Sequence, residues 1–278
     1  MNIIQAVILG AIQGLTEFLP ISSSGHLVLC QRIFGLTEAE LFFDISVHLG
    51  TLVAVVIVFW KEVKAITVAV LQLAAAVLKA NTSLTTLLIK PEIRMAFLIL
   101  MGSIPTAIIG ISLRPLTDRL FSSVILVGVM LLVTGMLLWL TRRIGPANAC
   151  RDINHFSTIR ACVVGTVQGL AILPGISRSG ATISAGLFLG LNRETAARYS
   201  FLLSVPAILG AAGLSLKDLS TGADANVNMS AALLGAATAA VVGFGALKYL
   251  IRIVNRGRLH FFAPYCWFAG ILALILGF

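Results

Sequence analysis

The chain has 278 residues, of which 58% are hydrophobic and only 11% charged, with a mean hydropathy of +1.01. Ordinary soluble domains carry roughly 25% charged residues, so the composition excludes a water-soluble fold and points to an integral membrane protein. The net charge of +9 would suggest nucleic acid in a soluble protein; in so apolar a chain it reports basic loops on the cytoplasmic side, and no nucleic-acid partner is expected.

In chain order, the first residues, Met1-Asn2-Ile3-Ile4-Gln5, lack a basic leader and are expected to stay in the mature protein. Two short apolar segments, 3–12 and 27–36, flank a polar stretch, and apolar segments follow at 45–60, 95–113 and 123–141. The pattern then restarts: short segments at 162–173 and 181–191, then long ones at 199–216, 229–250 and 261–278. About 20 residues cross the roughly 30 Å hydrocarbon layer as a helix, so the long segments predict six spans and the short ones two re-entrant pairs. Their Gly and Ala content, without sustained alternation, favours helices over a barrel. Segment 65–78 is also apolar but would reach only about 21 Å; it is expected to lie along the interface, the alternative being a seventh span, which would invert the orientation. Cys30, Cys150, Cys162 and Cys266 show no pairing or metal spacing and read as inert thiols.

The stretch Gln13-Gly14-Leu15-Thr16-Glu17-Phe18-Leu19-Pro20-Ile21-Ser22-Ser23-Ser24-Gly25 matches Gln168-Gly169-Leu170-Ala171-Ile172-Leu173-Pro174-Gly175-Ile176-Ser177-Arg178-Ser179-Gly180 at seven of thirteen positions. Ser103-Ile104-Pro105 and Ser204-Val205-Pro206 form a second echo. One membrane domain built from two repeats, 1–141 and 158–278, is therefore expected. A re-entrant pair returns to its own side while three spans do not, so the second repeat enters inverted and the two polar tips approach the midplane from opposite faces. This assignment puts fifteen Lys and Arg residues on one side and four on the other, with Arg178 set aside at a tip. The basic side is then cytoplasmic and both termini lie outside.

Ionisable groups at membrane depth are costly, about 2.5–3.5 kcal/mol or more at a span centre, and so point to function. Convergence of the tips would bring Glu17, His26, Ser22, Ser23 and Ser24 near Ser177, Arg178 and Ser179. The Arg178 guanidinium suits a phosphate, and the turns at Gly25 and Gly180 can direct backbone N–H groups at an anion. Glu17 beside an anion calls for a cation between them, so a divalent ion such as Mg2+ or Ca2+ is expected on Glu17, with Gln13 one turn earlier as a second oxygen ligand. His26 is the candidate proton-transfer group. The bland alternatives are a structural Glu17–Arg178 ion pair, Ser-rich turns that merely break helices, and a structural His48.

At these residues the sequence resembles the undecaprenyl-diphosphate phosphatase family, the bacitracin-resistance proteins of bacterial inner membranes. Gln13 and Glu17 match its Glu/Gln-x-x-x-Glu signature, followed in register by Pro20, Ser22, Ser23, Gly25 and His26. Pro174, Gly175, Ser177, Arg178, Ser179 and Thr182 match its Pro-Gly-x-Ser-Arg-Ser-x-x-Thr signature. Many relatives have Glu where this chain has Gln13, which places fewer charges on a metal. The resemblance implies hydrolysis of undecaprenyl diphosphate to undecaprenyl phosphate and inorganic phosphate, recycling the carrier lipid for cell-wall synthesis. It also implies a divalent cation, a reaction on the outer side of the membrane, a homodimer and bacitracin resistance.

The expected site has Arg178, Ser177, Ser179, Thr182, Ser22, Ser24 and Gly25 holding the diphosphate, with Glu17, His26, Ser23 and Arg178 carrying the chemistry. His26 activates either water or Ser23, the latter through a phosphoserine. The competing class is a transporter or flippase of a phosphorylated lipid, because inverted repeats with broken helices also build carriers.

Overall fold

The computed structural model describes residues 1–36, 41–79, 90–145, 152–220 and 228–277. Cys150 and Arg151 lie outside the described residues, while Cys30, Cys162 and Cys266 are free, as expected. The described residues form helices without strands: α1 (Ile3–Phe18), α2 (Ser23–Ile33), α3 (Leu41–Val58), α4 (Trp60–Lys79), α5 (Pro91–Leu113), α6 (Thr117–Ser122) and α7 (Val124–Leu140), then α8 (Thr158–Leu170), α9 (Arg178–Phe188), α10 (Arg193–Ser220), α11 (Met229–Asn255) and α12 (Ala263–Leu276).

Four helical stretches are long and apolar enough to cross a membrane: Pro91–Leu116, Val124–Arg143, Arg193–Ser215 and Met229–Asn255. They contain four of the six predicted spans. Predicted span 45–60 lies on α3, which turns by 91° into α4 at a one-residue break and qualifies only together with it. Predicted span 261–278 lies on α12, whose 14 residues make it one of the shorter apolar helices. Ile57, Leu71, Ile108, Ile111, Val241 and Ile275 are exposed, as side chains facing lipid are.

The helices flanking the tips run further into them than the hydrophobic segments indicated. Helix α1 starts at a capping box, with Asn2 Oδ1 accepting from the Gln5 N–H at 2.8 Å and Gln5 Oε1 from the Asn2 N–H at 2.9 Å. It continues through Gln13 and Glu17 to Phe18, and stops where Leu19, ahead of Pro20, takes an extended conformation. Helices α2 and α9 begin at Ser23 and Arg178, earlier than the predicted 27 and 181, because serines cap them: Ser22 Oγ accepts from the Gly25 N–H at 3.3 Å and Ser177 Oγ from the Gly180 N–H at 3.1 Å. Polar residues assigned to loose turns therefore sit on helix ends.

Small residues set the helix packing. A Cβ on Gly10 of α1 would lie 2.4 Å from the Gly235 carbonyl oxygen of α11, and one on Gly165 of α8 would lie 1.9 Å from the Gly102 oxygen of α5. Backbones this close pack through dispersion, the main attraction left between helices in lipid. Gly10-x-x-Gln13-Gly14 and Gly165-x-x-Gln168-Gly169 thus extend the sequence repeat upstream. The Pro105 and Pro206 echo falls on differently placed helices: Pro105 is in α5, which packs on α8, whereas Pro206 is in α10, which packs on α3 and α9. Between the halves, the rings of Phe18 and Phe59 flank Phe201 at 5.9 and 6.0 Å between centroids, closing a core beneath the tips.

Candidate active site

Two helix ends meet at the centre of the protein. Glu17 occupies the last turn of α1 and Arg178 the first position of α9, and an Arg178 Nη2–H donates to Glu17 Oε1 across 161 residues of sequence. The other carboxylate oxygen, Oε2, accepts from Ser23 Oγ at 2.6 Å and from Gln13 Nε2 at 2.9 Å. Glu17 is buried, so removing one partner of this ion pair leaves an uncompensated charge, at a cost of about 3–5 kcal/mol.

Two buried polar atoms beside this junction have no protein partner: Gln13 Oε1 and Arg178 Nη1. Buried polar atoms are nearly always hydrogen-bonded, so an acceptor and a cationic donor left open next to one carboxylate set this junction apart as a candidate ligand site. One is a neutral oxygen acceptor and the other a cationic donor, and among the described residues no group of three or more His, Cys, Asp and Glu side chains is gathered for a metal.

The remaining site residues divide by task. Ser179 Oγ donates to the Phe18 carbonyl at 2.9 Å and tethers the second tip to the end of α1. Thr182 Oγ1 donates to the Arg178 carbonyl at 2.7 Å and meets the Ser200 hydroxyl behind it. Ser22 and Ser24 are 3.3 Å apart between hydroxyls, and Ser177 and Ser179 are 3.2 Å apart, the same arrangement on both tips. Since Ser22 Oγ and Ser177 Oγ take the Gly25 and Gly180 amides, these hydroxyls shape the turns, and neither amide points openly at an anion.

Of the two partners left open for His26, water and Ser23, the second is not hydrogen-bonded to it. Its Nδ1 is 2.7 Å from the Ser22 carbonyl and its Nε2 is 2.7 Å from the Tyr265 hydroxyl, so neither nitrogen is hydrogen-bonded to Ser23. Ser22 adopts φ +72°, the only non-glycine residue with positive φ among those described, and the Ser22 carbonyl accepts from the backbone and ring N–H groups of His26. A strained backbone at this point is consistent with a functional turn.

Three residues lie against the tips that sequence reasoning had not brought there. His48, read as structural, donates from Nδ1 to the Asp44 carbonyl at 2.7 Å, but its Nε2 lies 3.8 Å from Glu17 Oε2. An imidazole within an apolar span was the available signal. Thr134 clamps the second tip, donating to the Gly175 carbonyl at 2.9 Å and accepting from the Ser177 N–H at 3.0 Å. Tyr265, one of only three tyrosines, reaches the first tip from α12.

Residues 6–272 match the family described as bacitracin resistance protein BacA. The chain belongs to the BacA family. A member from Desulforapulum autotrophicum, named undecaprenyl-diphosphatase, is 52% identical over 279 residues, covering 100% of this chain and 99% of its own length. Another of the same name from Desulfosudis oleivorans is 54% identical, with 100% and 99% covered. A third, from the Methanosphaera stadtmanae strain, is 42% identical over 99% of this chain and 98% of its own. This BacA family chain therefore aligns with its relatives from end to end.

Proposed function

We propose that the protein hydrolyses undecaprenyl diphosphate to undecaprenyl phosphate and inorganic phosphate, as the name shared by its relatives says of them. The observation that carries this reading is the Glu17–Arg178 junction between the tips, with the Arg178 Nη1 and Gln13 Oε1 atoms left open beside it. A guanidinium with a spare donor binds the diphosphate and opposes the charge that builds on its oxygens during transfer. The prenyl chain stays among the exposed apolar side chains in the bilayer.

Glu17, Gln13 and the nearby Ser23 hydroxyl are oxygen donors suited to Mg2+ or Ca2+, and would hold one with the substrate. When bound, such an ion supplies charge stabilisation on the phosphoryl oxygens. The Ser23 hydroxyl turns toward Glu17 and not toward His26, which favours water over Ser23 as nucleophile and His26 as its base. Trapping phosphate on Ser23 by rapid quench would overturn that assignment.

The proposed membrane arrangement has six crossings, on α3, α5, α7, α10, α11 and α12, and two re-entrant pairs, α1–α2 and α8–α9. The packing of α1 on α11 and of α8 on α5 supports an inverted repeat, because each re-entrant arm rests on the middle crossing of the other half. The 91° turn into α4 suits a helix lying along the interface. In this arrangement the Lys and Arg clusters around Lys61–Lys64 and Arg142–Arg143 face the cytoplasm of a bacterial inner membrane, the site opens to its outer side, and the protein acts as a homodimer. A carrier that shares this architecture needs no proton-transfer residue; the family match and the name of the relatives favour the enzyme over it.

The test is phosphate release from undecaprenyl diphosphate by the purified protein, with and without chelator, beside Arg178→Ala. Chelator-sensitive release that the variant loses supports the reading. No release by folded protein with any divalent ion refutes it.

A further inference from the structure

The bonding of His26 leaves its imidazole with no free nitrogen. The Ser22 carbonyl can only accept, so the 2.7 Å contact to Nδ1 requires the proton on Nδ1. In the neutral ring Nε2 is then an acceptor, and the Tyr265 hydroxyl 2.7 Å away donates to it. The two rings are tilted by only 12° with centroids 5.7 Å apart. Tyr265 is 44% exposed and His26 half-buried, and the Tyr265 hydroxyl is the one partner that occupies Nε2.

We infer that Tyr265 fixes His26 as one tautomer and is the group through which His26 gains and loses its proton. The inference rests on His26 being the base in the proposed hydrolysis. In the transfer, an O–H bond of the attacking water breaks toward Tyr265 Oη as the Tyr265 O–H proton passes to His26 Nε2. Water becomes hydroxide, His26 becomes imidazolium, and the tyrosine ends as it began. The reverse passage discharges the imidazolium to the released phosphate. Nδ1 cannot serve this purpose while it is bonded to the Ser22 carbonyl, whose position is set by the unusual φ of Ser22.

The residues involved come from opposite ends of the chain, 239 positions apart, so the last helix of the second half completes a residue of the first. The arrangement also gives a reason for a tyrosine near the start of α12, where a phenylalanine would serve lipid contact equally well.

The experiment compares wild type with Tyr265→Phe, His26→Ala and the double variant, using undecaprenyl diphosphate and 15N-histidine-labelled protein in detergent. Losing one such hydrogen bond and its proton path predicts a fall in kcat of about tenfold or more with little change in KM. Once His26 is gone, Tyr265→Phe has no further effect. In wild type, the His26 15N signals show one tautomer with protonated Nδ1, and Tyr265→Phe moves the Nε2 signal while the melting temperature stays unchanged. Full turnover in Tyr265→Phe, losses that multiply in the double variant, or an unmoved Nε2 signal each overturn the inference. Absence of hydrolysis by wild type would instead refute the proposed function, and the 15N arm would still report on the Tyr265 contact.

Discussion

The two tips have nearly the same backbone solution and opposite chemistry. In each, a helix that packs through glycines ends in a short turn, and a serine then caps the next helix, Ser22 on one tip and Ser177 on the other. Offset by 155 positions, Gln13 corresponds to Gln168, Ser23 to Arg178, Glu17 to Ile172 and His26 to Ala181. The first tip carries the carboxylate and the imidazole; the second carries the guanidinium and two buried hydroxyl anchors, Ser179 and Thr182. Repetition fixed the shape, while divergence of a few side chains at equivalent positions made one site out of two turns.

The largest effect expected from disturbing this division is at the ion pair. Glu17→Ala and Arg178→Ala should each reduce phosphate release at least a thousandfold; Arg178→Ala strands the buried Glu17 carboxylate and should lower stability by about 3–5 kcal/mol, Glu17→Ala by less because Arg178 is only partly buried. Thermal unfolding in detergent and a turnover assay check both. The double variant should recover part of the stability and none of the activity, which separates folding from chemistry.

His26→Ala should lower kcat by about 10²–10⁴-fold while substrate binding persists, as expected for loss of a general base. Ala181, its counterpart on the second tip, should tolerate Ala181→Ser with turnover close to wild type. A comparable loss at both positions would mean that the tips are not divided as described.

The glycine contacts should behave alike in the two halves. Gly165→Ala places a Cβ 1.9 Å from the Gly102 oxygen and Gly10→Ala one 2.4 Å from the Gly235 oxygen, so both should destabilise by about 1–3 kcal/mol, Gly165→Ala the more. Melting temperatures of the two variants measure this. The smallest contrast concerns the paired glutamines. Gln168 Nε2 bonds Thr106 Oγ1 at 3.3 Å and the Leu203 carbonyl at 3.2 Å, so Gln168→Ala should cost about 1 kcal/mol of stability and spare turnover. Gln13→Ala should instead raise the divalent concentration needed for half-maximal activity, which a metal titration would show.

Much of this was legible in advance. Helical class, membrane location and the repeat follow from hydrophobic segments and from one thirteen-residue match, and Glu17 and Arg178 were marked by the cost of charge in an apolar stretch. Less legible were the helix ends, because a hydrophobic segment stops at Ile12 whereas hydrogen bonding continues to Phe18. A change of direction between span 45–60 and segment 65–78 was expected, but not its angle of 91° nor its one-residue break. The hydrogen bond of His48 to the Asp44 carbonyl agrees with its structural reading, whereas its sequence neighbours gave no hint that Glu17 lies 3.8 Å away.

By itself, the sequence determined where apolar surface must meet lipid, where the pattern repeats and which charged groups cannot stand alone at depth. Those properties are local, set by composition and by spacing along one segment. Only the tertiary structure decided that Glu17 meets Arg178, that Ser23 turns to Glu17, and that His26 is held by Tyr265. Such contacts depend on how closely glycine-faced helices approach and on which rotamers then fill the space between them, and neither quantity is written in the periodicity of a single segment.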